Sequence, residues 1–106
     1  MSDDQAKLRE LREQIYLIPF IELEPHLKRG GVILVDEGLD LAETGLLLAR
    51  DDKAAVAKLV EEHRLMKAFP LELETWRREK RFFNILIVQP FVLAQHFVSL
   101  APQAAN

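Results

Sequence analysis

An α+β fold is predicted, a small sheet of about three strands packed by four to five short helices in a single domain. Three observations predict it. Val32-Ile33-Leu34-Val35 is wholly apolar and rich in β-branched residues, and Phe82–Val88 is a second strand candidate, apolar but for Asn84, each bounded by turn residues as buried strands are. Between and before them, apolar residues recur at helical spacing. The 106 residues, 49% apolar and 29% charged, suffice to bury one core without staples.

The elements follow in order. Asp3 or Asp4 caps a predicted helix over 4–17, with Leu8, Leu11, Ile15 and Ile18 in one apolar stripe and Lys7, Arg9, Glu10, Arg12 and Glu13 opposite. Pro19 ends it. A turn is expected at Phe20–Glu24, then a helical piece from Pro25 closed by Gly30-Gly31. The Val32–Val35 strand is apolar on both faces, so it is expected to be central and covered from both sides. Helices are predicted over 39–49, 52–63 and 71–80, the second of them started by Asp51-Asp52. Leu65–Phe69 is a candidate third strand, stopped by Pro70, and Pro90 ends Phe82–Val88 or marks it as an edge. Phe91 to Phe97 suits strand and helix alike. Residues 1–100 read as one globular domain and 101–106 as a loose tail.

Composition excludes several functions. Without cysteine there are no disulfides, thiolate metal sites or cysteine nucleophiles. The only serines, Ser2 and Ser99, lie near the two ends, and Thr44 lies in a helix interior, which argues against covalent hydrolysis. The glycines form neither G-x-G-x-x-G nor a G-K-[ST] loop. An acidic start is not a secretory signal, and Ile85 to Val98 is too short and too polar to span a bilayer, so a cytoplasmic protein without membrane contact is expected. No cofactor is expected.

Three readings of the remaining chemistry compete. Asp36, Asp40 and Glu43 fall at i, i+4 and i+7, which on one helix would stack three carboxylates as a hard-cation site for a metal-binding domain or a metal-assisted enzyme. Capping and the helix dipole explain acids at a helix start more simply. The histidines, His26, His63 and His96, lie in separate segments and form no ligand pair. Arg64, Lys67, Arg77, Arg78, Lys80 and Arg81 surround Trp76, Phe82 and Phe83, a mixture that nucleic-acid surfaces use. With a net charge of −3, aromatics in the core beneath a solvated basic face is the favoured account. The third reading is a non-enzymatic interaction or accessory protein that self-associates. Trp76, Arg77, Arg78, Arg81, Phe91 and Phe97 are its candidate contact residues, because Phe91, Val92, Leu93, Phe97, Val98 and Leu100 exceed what a short terminal element buries alone.

VDEGLDLAETGLLLARDD (Val35 to Asp52), the Leu65 and Trp76 region and FFNILIVQPFVLAQ (Phe82 to Gln95) resemble a small bacterial family catalogued as a conserved domain of unknown function. The resemblance covers Leu8 to about Gln95. Its pattern favours tryptophan where this chain has Phe91, so an aromatic is kept. It implies a stand-alone cytosolic bacterial domain and transfers no catalytic residue.

Overall fold

The computed structural model describes residues 3–67 and 73–97, in the order α1 (Asp3–Glu13), β1 (Tyr16–Pro19), α2 (Phe20–Arg29), β2 (Val32–Val35), α3 (Leu41–Ala49), α4 (Lys53–Glu61), β3 (Leu65–Lys67), α5 (Leu73–Glu79), β4 (Phe82–Val88) and β5 (Phe91–His96). The class is α+β, as predicted, but the sheet has five strands rather than three. Their order is β1-β4-β5-β2-β3, antiparallel throughout except where β2 runs parallel to β5.

The two extra strands came from segments the pattern misled or left open. The stripe Leu8, Leu11, Ile15, Ile18 continues past the real end of α1 at Glu13, and Tyr16–Pro19 is extended, with Ile18 paired to Phe83 and Pro19 to Phe82. Proline is tolerated there because β1 is an edge. Phe91–His96 is a strand, paired to β4 from Val88↔Phe91 to Phe83↔His96. Pro90 therefore does not put β4 at an edge; it sits in the tight turn, after a cis peptide bond, that returns the chain as β5.

Helix α2 is continuous from Phe20, where a turn was expected, with Pro25 inside it. It stops at Gly30, and Gly30 and Gly31 both hold φ near +83°, a conformation that costs glycine little. The helix predicted over 39–49 begins at Leu41, and those predicted over 52–63 and 71–80 span Lys53–Glu61 and Leu73–Glu79. Residues 68–72 and 98–106, including the end of the predicted third strand and the predicted tail, lie outside the described residues.

Strand parity divides the core in two. Ile18, Val32, Phe83, Ile85 and Ala94 face α2 and α5, where Phe20, Leu23 and Trp76 complete one cluster. Val35, Leu65, Leu86 and Leu93 face the other way, onto Leu11 of α1 and Leu41 and Ala42 of α3, with Val56 and Leu59 of α4 beside them. As expected, β2 lies inside the sheet and is covered from both sides. Three aromatics organise the first cluster: Trp76 meets Phe83 edge-on at 5.3 Å between ring centroids and Phe20 at 6.0 Å.

Candidate functional site

The acids predicted at the end of β2 stand on different elements. Asp36 closes a turn: its Oδ2 accepts the Gly38 N–H at 2.9 Å and faces the Arg64 guanidinium at 3.4 Å. Asp40 caps α3, accepting the Glu43 N–H at 2.9 Å, and its other oxygen accepts from Arg12 at 2.8 Å. Glu43 lies 3.8 Å from the same Arg12. Burial pushes the Asp40 carboxyl up, but the Arg12 and backbone N–H bonds outweigh it and hold the group below the usual carboxylate range. Because α3 starts at Leu41, the three carboxylates do not stack on one helix face. Among the described residues no three His, Cys, Asp or Glu side chains are grouped to hold a metal.

A cleft of about 240 Å³ lies where the parallel pair β2 and β5 ends, lined in part by Asp36, Glu37, His63, Arg64 and His96. The imidazole of His96 packs on Trp76 and Phe83, with ring centroids at 5.2 and 4.6 Å, and its Nδ1 lies 3.2 Å from the Arg81 guanidinium. That arrangement suits a scaffold position better than a proton shuttle, because two of its contacts are apolar ring faces.

The basic and aromatic candidates separate by role. Trp76 is 3% exposed and cannot serve as a surface contact; it belongs to the core. Arg77 donates to Glu24 and Glu74, and Arg81 to Glu79. Arg78 is exposed on α5, and Phe91 and Phe97 remain exposed on or next to β5. The basic cluster is thus a helix face largely laced to neighbouring acids, over aromatics that are buried at Trp76 and Phe83.

An apolar surface that the motif search missed lies at the β1 corner. Leu17 stands opposite Asn84, Phe82 opposite Pro19, and the Phe97 N–H donates to the Phe82 carbonyl, so Leu17, Phe82 and Phe97 share one sheet face. This is the face that α1 and α3 cover farther along, at Leu86 and Leu93. Here the cover is lacking among the described residues: the three side chains are 45–46% exposed. Tyr16 and Ile21 are also exposed, but toward the other side of the sheet, where Tyr16 pairs with Ile85 and Ile21 lies on α2.

A family model described as a protein of unknown function, DUF2288, matches residues 7–96. The fold is similar to the NMR solution structure of PA1075 from Pseudomonas aeruginosa, with a TM-score of 0.75 and 29% identity, covering 95% of this chain and 91% of that one. No curated protein matches the chain. No helix among the described residues is long and apolar enough to cross a membrane.

Proposed function

We propose that this chain, which belongs to the DUF2288 family, is a non-enzymatic interaction protein that self-associates through the β1 corner of its sheet. The observation that carries the reading is the shared, uncovered face of Leu17, Phe82 and Phe97. Apolar side chains lifted out of water by a partner gain roughly 25 cal/mol per Å². A second copy is the chosen occupant because an apolar patch at a molecular corner is self-complementary about a two-fold axis, which closes the assembly at two chains. Three side chains fall short of the roughly 800 Å² per partner that stable complexes bury, so the dimer expected is a weak one.

Support also comes from how the ionisable groups are used. Asp36, Asp40, Arg77 and Arg81 are engaged in caps, turns and ion pairs, so the scaffold itself accounts for them. Light scattering and sedimentation across a concentration series test the proposal. A dimer is expected, reverted to monomer by Leu17→Glu and by Phe82→Glu. Both positions are already half exposed, so circular dichroism should show the fold unchanged. A strictly monomeric parent chain at millimolar concentration would end the proposal.

A further inference from the structure

A second cavity, of about 680 Å³, lies at the far edge of the sheet, at the start of β2 and the end of β3. Its size falls within the roughly 300–1,000 Å³ typical of small-molecule sites. Leu27 of α2 and Val56 and Val60 of α4 wall it, and Met66 and Phe91 border it. Gly30 and Gly31 line the same end, where a Cβ on Gly30 would meet nothing within 4 Å. Val60 and Met66 are 51% and 43% exposed.

Lys67 is the charged side chain of the lining among the described residues. His63 and Lys67 contribute to it, and no carboxylate does among the described residues. Lys67 lies on the edge strand, exposed, in a chain whose net charge is −3, and no described carboxylate forms an ion pair with it. An apolar chamber with an ammonium and an imidazole on its wall complements a molecule with an apolar body and an anionic end.

We infer that this cavity binds an amphipathic carboxylate of the medium-chain fatty acid class, its alkyl chain against Val56 and Val60 on the face that Leu65 and Lys67 share, and its carboxylate toward Lys67. The site is independent of the β1 corner, since β1 and β3 are opposite edges of the sheet.

Calorimetric titration of the full chain with hexanoate, octanoate and decanoate tests it, with decanol as the uncharged control. Saturable one-to-one binding is expected, tightening about fourfold per added methylene until the chamber is full. Decanol should bind about tenfold more weakly than decanoate. Lys67→Met should erase that difference, and Val60→Asp, at an exposed position, should abolish binding of both while leaving the circular dichroism spectrum intact. Amide shifts in NMR should centre on Val60, Met66 and Phe91. Flotation with phosphatidylcholine vesicles, with and without phosphatidylglycerol, separates a free acid from a lipid surface; no capture is expected. Equal affinity for decanol and decanoate, indifference to Val60→Asp, or capture by anionic vesicles without decanoate binding would each overturn the assignment.

Discussion

Arg77 of α5 donates to the carboxylate of Glu24 on α2, tying together the two helices that roof one face of the sheet. The Glu24 side chain is 15% exposed, and Arg77 also reaches Glu74 one turn back on its own helix. Trp76, the neighbour of Arg77, fills the space beneath. The polar clasp and the aromatic cluster therefore hold α2 and α5 at the same junction, one at the rim and the other inside.

The clasp makes stability depend on acid pH. The Arg77 hydrogen bond holds the Glu24 carboxyl below the usual carboxylate range, against partial desolvation, and Asp40 is also held low overall, by Arg12 and backbone N–H groups against burial. A group whose folded pKa is depressed adds stability that is present above its unfolded pKa and lost as pH falls through the folded value. Urea midpoints measured downward from neutral pH should therefore fall across and below the ordinary carboxylate range. Glu24→Gln and Asp40→Asn should each flatten the fall, and an unchanged profile in both variants would refute the assignment. Arg77→Met should act like Glu24→Gln, and the two together should cost less than their sum, because each alone already breaks the same bond.

Gly45 sits where α3 crosses the sheet. A Cβ there would lie 2.6 Å from Leu86 Cδ2 and 3.3 Å from Val88 Cγ2. Leu86 is fully buried, so its methyl has little room to swing aside. Alanine gains about 1 kcal/mol in helix propensity, and overpacking costs about 1–3 kcal/mol. Gly45→Ala should be destabilising on balance and Gly45→Val more so, read as lower urea midpoints. A Gly45→Ala protein more stable than the parent would show that α3 can lift off the sheet freely.

Gln95 secures the turn between β2 and α3. Its Nε2 donates to the Asp36 carbonyl at 2.9 Å and to the Leu39 carbonyl at 2.8 Å. Gln95→Leu leaves both acceptors without that donor and should cost about 1–3 kcal/mol, nearer the lower figure because Asp36 is exposed. Gln95→Glu sets a carboxylate against two carbonyl oxygens. It should cost more at neutral pH and recover on acidification, the reverse of the parent's trend; thermal melts at the two pH values separate these outcomes.

What was legible in the sequence were features with a local cause. Val32–Val35 and Phe82–Val88 declared themselves because no helical stripe competes in a short, mostly apolar run, and Asp52 is a helix cap of the type its place before the next apolar stripe implies. β1 was hidden because Ile15 and Ile18 continue the spacing of Leu8 and Leu11, and four residues are too few to establish a period of two. The acids at the end of β2 were visible, but their partners were not. Arg12 and Arg64 each stand 28 positions from the aspartate they meet, one before the strand and one after it, and only the folded sheet brings them there. The apolar corner was invisible for the same reason, since Leu17 and Phe82 become neighbours only through pairing.

The place of β5 in the sheet has a consequence for how the protein is born. It is the last of the five strands to be synthesised, yet it lies at the centre and joins the β1-β4 pair to the β2-β3 pair. Until Phe91–His96 has left the ribosome, the nascent chain holds two ribbons with no shared ladder, and the layer built on Leu93 and Ala94 has no floor. Assembly of the core must wait for nearly the whole chain, with Phe83, Ile85 and Leu86 open to solvent or to a holding chaperone in the interval.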